Sequence, residues 1–158
     1  MRRIAPVLLL LLILLDSACS YVNNFVVVNA SPHATEVWYK VKRPTDSGVS
    51  IPLPDKAPFT KSASQIHEQV AWQQLPSTRY RIDPDNRTVT LTLNPGEALL
   101  LDQCSPAGGE TSGDCEAAAF SIDAISLTGA NGEIEISGEQ AHKSFVAESK
   151  RTYTLRYN

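Results

Sequence analysis

Hydrophobic and polar positions in this chain recur mostly with a period of two. Residues 87–93 read RTVTLTL, with Val89, Leu91 and Leu93 on one parity and Thr88, Thr90 and Thr92 on the other. Successive strand residues point to opposite faces, so this pattern predicts a half-buried strand. Residues 35–43, TEVWYKVKR, behave alike: Val37, Tyr39 and Val41 share one face, and Glu36, Trp38, Lys40 and Lys42 share the other. Tyr80 and Ile82 alternate with Arg79 and Arg81, and Tyr153, Leu155 and Tyr157 alternate near the end of the chain. Phe25–Val28, FVVV, is apolar at every position, which predicts a buried strand. In the stretch 117–128 the apolar parity switches between Ile122 and Ile125, which predicts a β-bulge near Asp123.

Turn chemistry punctuates these runs. Ser31–His33, SPH, predicts a short connection joining the first two strands as an antiparallel hairpin. Asp83-Pro84-Asp85-Asn86 and Asn94-Pro95-Gly96-Glu97 read as turns. Asn131-Gly132, between ISLTG and EIEIS, is the signature of a type I′ hairpin. Residues 44–58 hold Pro44, Pro52, Pro54, Pro58 and Gly48, which predicts an extended surface loop with a short edge strand at 49–53. Residues 62–75, SASQIHEQVAWQQL, accommodate a helix, with Ile66 and Val70 four apart and Ser64 as cap; Glu68, Val70 and Trp72 fit a short strand equally well. Residues 142–148 predict another short strand. Eight to ten strands with at most one short helix predict an all-β fold. The expected form is an antiparallel β-sandwich, immunoglobulin-like or transthyretin-like, with Greek-key connections. A barrel is the alternative architecture.

The first twenty residues depart from this pattern. Arg2 and Arg3 precede a nearly unbroken apolar run from Ile4 to Leu15, and small residues follow at Ser17, Ala18, Cys19 and Ser20. That is the layout of a secretory signal. The run falls short of the ~20 residues a membrane-spanning helix needs. Ser17-Ala18-Cys19 resembles the end of a bacterial lipoprotein lipobox, although Asp16 stands where Leu is usual and Leu15 lies one step further back. The resemblance implies a signal peptide over 1–18 and a single domain over 19–158 that begins with lipidated Cys19. The neutral Ser20 resembles the outer-membrane sorting pattern. Cleavage after Ser20, giving a soluble periplasmic or secreted protein, is the alternative.

Composition narrows the partners. Removing residues 1–18 strips two arginines and one aspartate and takes the formal charge from -3 to -4. A mildly acidic chain without a basic stripe argues against nucleic acid. With Cys19 lipidated or removed, Cys104 and Cys115 remain as a pair. In an oxidising compartment they are expected to form a disulfide closing the Gly- and Ser-rich loop between them.

Catalytic motifs are missing from the sequence. It contains no GxSxG elbow and no P-loop. His67-Glu68 starts like HExxH, but Ala71 occupies the second histidine's place. His33, His67 and His142 lie in separate segments, and a calcium loop starting at Asp83 would need Gly where Thr88 stands and Glu where Asn94 stands. Glu133 and Glu135 share one strand face and read as a solvated face. Trp38, on the charged face of its strand, and Trp72 are the candidate ligand or partner contacts. Neither a cofactor nor a metal is expected. The reading is an exported, lipid-anchored bacterial envelope module that binds or supports an envelope protein without catalysis. A carbohydrate-binding module using exposed Trp is the alternative, and a small hydrolase with a scattered site is the third.

Overall fold

The computed structural model describes residues 22–43, 57–104, 120–149 and 151–158. Two β-sheets face one another across one core. β1 (Asn23–Asn29) and β2 (Thr35–Val41) fall in different sheets. The predicted hairpin between them is therefore corrected: the connection crosses from one layer to the other. Buried Asn29 locks this crossing. Its Oδ1 accepts from Ser31 N (3.1 Å) and Ser31 Oγ (2.8 Å), and its Nδ2 donates to His33 O (2.8 Å) and Leu93 O (3.0 Å). The side-chain turn sends the backbone across the sandwich where a hairpin would have folded it back.

The first sheet also contains β3 (Phe59–Ser62), β4 (Gln73–Gln74), β7 (Glu97–Cys104), β10 (Val146–Ser149) and β11 (Thr152–Tyr157), in the order β10-β11-β1-β7-β3-β4. β1 pairs with β7 antiparallel but with β11 parallel, Phe25 opposite Tyr153 and Asn29 opposite Tyr157. The purely antiparallel expectation is thus corrected at one seam. Parallel partners need a long connection, and here nearly the whole chain supplies it. β1 lies well inside this sheet, which explains its unbroken apolar run. Phe25 and Val27 enter the main core, and Val26 and Val28 form a second cluster with Ile66 and Ala98 on the opposite face.

The second sheet runs β5-β6-β2-β8-β9, with β5 (Tyr80–Asp83), β6 (Thr88–Leu93), β8 (Ile122–Gly129) and β9 (Gly132–Ser137). Every pair in it is antiparallel. The predicted alternation holds: Val37, Leu91 and Leu127 line up inward, as do Tyr39, Val89 and Ile125. The predicted bulge is present, because Lys40 opposes Ala124 and Val41 opposes Ile122, leaving Asp123 as the extra residue. The hairpin between β8 and β9 also forms, but its two loop residues are Ala130 and Asn131, and Gly132 carries the positive φ of 110°. A type I′ turn needs positive φ at both central residues, so that detail is corrected.

Two segments differ from expectation. Residues 62–75 form only a 3-10 turn, Ala63–Gln65, followed by irregular chain and β4. A helix would bury Val70 with Ile66, yet Val70 stays 40% exposed. The segment instead straps the outer face of the first sheet with Ile66, Ala63 and Trp72. The single α-helix among the described residues, α1 (Glu139–Lys143), starts after Gly138 at φ 60° and buries Ala141. It occupies the start of the stretch expected as a strand over 142–148, and β10 follows it. Phe145 between them joins an aromatic cluster with Phe25 and Phe120, at 5.4 and 5.7 Å between centroids. The short edge strand expected at 49–53 lies outside the described residues.

Candidate functional site

Alternation in β2 aims Glu36, Trp38 and Lys40 away from the core, and the strand registers then decide their neighbours. Trp38 lies between Thr90 and Ser126, and the row continues to Arg81 on one side and Glu135 on the other. The next row reads Asp83, Thr88, Lys40, Ala124 and Ser137, and the opposite one Thr92, Glu36, Thr128 and Glu133. A half-buried indole thus stands mid-sheet among short, mostly hydroxylated side chains. Ser126 Oγ donates to Glu133 Oε1 at 3.0 Å, so the Glu133–Glu135 face is partly engaged by its own sheet.

Beside Trp38 is an open cleft of about 370 Å³ lined by Trp38, Lys40, Arg43, Asn86 and Thr88. The turn between β5 and β6 forms one wall. Asp83 Oδ1 accepts from Asp85 N and Asn86 N (both 3.1 Å), Asp83 Oδ2 accepts from Asn86 Nδ2 (2.8 Å), and Arg87 takes a φ of 58°. These bonds hold the Asp83 carboxyl below its usual range, the Asn86 side-chain bond contributing most. Lys40 Nζ has Asp123 at 3.9 Å, with both side chains more than 40% exposed.

Trp72 is placed differently. It packs on Val26, Val28, Ile66 and Ala98, outside the first sheet, and Lys61 Nζ sits 4.5 Å from its ring centroid. The two tryptophans therefore lie on opposite outer faces and cannot share one ligand site. Lys61 is 8% exposed and its Nζ also donates to Gln65 O (3.3 Å) and Glu68 O (3.4 Å). The strap owes its shape to this ammonium, whose burial the sequence did not signal.

Several other ionisable groups are engaged structurally. Glu148 on β10 accepts from Thr154 Oγ1 (2.8 Å) and Arg156 Nε (2.7 Å), with His67 Nε2 at 3.3 Å. Burial pushes its carboxyl up, but the Thr154 and Arg156 bonds outweigh this and hold it below the usual range. Glu97 pairs with Arg79 and accepts from Asn94 N at 2.7 Å; these bonds likewise overcome burial and lower its pKa. Asp102 is held by Ser121 N (2.7 Å) and Gln103 N (2.8 Å), yet burial dominates and raises its pKa. Burial, then the nearby Asp102 charge, raise the Tyr39 hydroxyl too.

The three histidines stay apart. His33 contributes its carbonyl to the Asn29 turn, His67 faces Glu148, and His142 lies among aromatic rings, 5.4 Å from Phe25 and 5.5 Å from Phe120. Among the described residues no three His, Cys, Asp or Glu side chains cluster as metal ligands. Also among them, no helix is long and apolar enough to cross a membrane. Cys104 is buried at the end of β7 and is not a free thiol. Its expected partner Cys115 and the lipidation candidate Cys19 lie outside the described residues. No family model, curated protein or solved structure matches this chain.

Proposed function

We propose that this protein is an exported, lipid-anchored bacterial envelope module that binds a partner through the outer face of its five-stranded sheet. The observation that carries the reading is the position of Trp38. A large aromatic side chain stands mid-sheet on an otherwise polar face, beside a cleft of small-ligand size. Two further features support a binding role over a catalytic one. Glu97, Glu148 and Asp102, carboxyls shifted by their surroundings, are each taken up by bonds that hold a corner or a strand edge. The scaffold beneath Trp38 is regular antiparallel sheet, which presents its side chains rigidly.

Export and anchoring rest on residues 1–20 and their lipobox-like end, and the bridge between Cys104 and Cys115 belongs to the same proposal. The anchor is tested by the mass of the mature N-terminus from cells. A chain that begins at Cys19 with acyl chains added, and that leaves the membrane fraction when Cys19→Ala is made, supports the reading. A chain that begins after Ser20 without lipid overturns it. Site-specific photo-crosslinking from Thr90, next to Trp38, tests the binding face in the same cells; no envelope adduct argues against it.

A further inference from the structure

We propose that the cleft beside Trp38 binds a carboxylate-bearing sugar unit of a polysaccharide. The inference deepens the binding-face reading above and rests on it. The C–H face of a pyranose ring stacks on an indole, and Trp38 offers one on a flat surface whose cross-strand neighbours, Thr90 and Ser126, are too short to fill the space above it. The charge selects the sugar. The chain carries a net charge of -3, yet among the described residues this cleft is lined by two cations, Lys40 and Arg43, and no carboxylate.

A planar guanidinium matches a carboxylate through two parallel N–H donors, and an ammonium adds a point charge beside it. Lys40 can turn to such a ligand at little loss, because its present partner Asp123 is 3.9 Å away and both groups are well exposed. The polar complement is present as well. Asn86 Nδ2 is tied to Asp83, which fixes its amide, and that amide with the Thr88 hydroxyl provides the partners that ring hydroxyls require. A volume of about 370 Å³ suits a single sugar unit with its neighbours extending along the open sheet.

The test uses the full exported chain purified in detergent, with an oligomer of galacturonic acid and the neutral galactose oligomer of equal length as probes. Calorimetry reads affinity, and the two indole N–H resonances, assigned with Trp38→Phe, report where the sugar sits. The acidic oligomer is expected to shift the Trp38 signal and leave Trp72 unmoved, binding at least tenfold more tightly than the neutral one. Trp38→Ala is expected to abolish binding. The double variant Lys40→Gln, Arg43→Gln is expected to erase the preference for the acid while leaving Tm unchanged. Should Trp38→Ala not fold, the double variant and the resonance shift decide the matter. Equal affinity for both oligomers, or binding that leaves the Trp38 resonance unmoved, overturns the proposal. If no sugar binds but crosslinking from Thr90 still traps an envelope protein, the ligand class falls and the module reading stands. If both are silent, both fall.

Discussion

Tyr157, one residue from the end of the chain, shows how single side chains hold the two sheets in register. Its hydroxyl donates to Gly132 O at 2.7 Å and accepts from Asn131 N at 3.2 Å, so the last strand of one sheet grips the β8–β9 turn of the other. Gly129 lies under the ring: a Cβ built there would stand 2.8 Å from Tyr157 Cε1. Gly129→Ala is therefore expected to destabilise by about 1–3 kcal/mol, the range for overpacking a filled site. Chemical denaturation measures it, and Gly129→Ala combined with Tyr157→Leu should lose less than the sum of the two single variants. An additive result would refute the contact. The sequence showed Tyr157 as an inward strand residue and Gly129 as part of a strand next to a turn. It did not show that they touch, because 27 intervening residues and a change of sheet separate them.

At the scale of elements, the strap over residues 63–72 is the instructive part. Its residues fit a short helix and a short strand equally well, so local propensity alone leaves it open. Lys61 decides otherwise. Its ammonium reaches Gln65 O and Glu68 O and lies under the Trp72 ring, which turns those carbonyls inward and lays Ile66 on Val26 and Val28. Glu148 ties the same strap to β10 through His67. Lys61→Met keeps most of the stem and removes the charge, so it is expected to cost about 1–3 kcal/mol through the lost carbonyl and ring contacts. Trp72 should become markedly more open to acrylamide quenching, and unchanged quenching would refute this role for Lys61. Where an element's signal came from one face against one core, it was readable in advance. Val89, Leu91 and Leu93 point inward as their parity required, and Asp123 bulges where the apolar parity switched. Where the outcome depended on what lies across from an element, as at 62–75 and at the helical start of 142–148, it was not.

At the scale of the molecule, pH reads the balance of its carboxyls. Asp102 titrates above an ordinary carboxylate when folded, so the folded state holds its proton more tightly than the unfolded chain does. Its ionisation therefore weakens folding as pH rises from about 4, the unfolded value, through the folded pKa. Glu97 and Glu148 act in the opposite sense: their pKa values are depressed, so they stabilise above the unfolded value and that support is lost as pH falls. Asp102→Asn keeps an oxygen for Ser121 N and removes the buried charge. It is expected to raise the midpoint of urea unfolding at pH 7 and to leave it nearly unchanged at pH 3, where both states of the parent carry a proton. A gain that persists at pH 3 would contradict burial as the cause. The same scale constrains the proposed anchor. β1 begins four residues after Cys19, a reach of no more than about 14 Å for extended chain, so lipidation would hold the end of the sandwich bearing Asn23 and Cys104 close to the bilayer.

The order of residues determined which side chains face inward along each strand, where most turns fall, and the all-β class of the body. These are properties of near neighbours, fixed by a period of two and by the conformations that proline, glycine and asparagine favour. Beyond the β8–β9 hairpin, which strands lie side by side was decided only in three dimensions. β1 joins β11 in parallel across most of the chain, the first two strands part to separate sheets, and Trp38 gains Arg43, Asn86 and Thr88 as companions beside Lys40 of its own strand face, while Trp72 is turned to the far face. Parity assigns a face but not a partner, because the free energy of pairing comes from distant surfaces closing on one core.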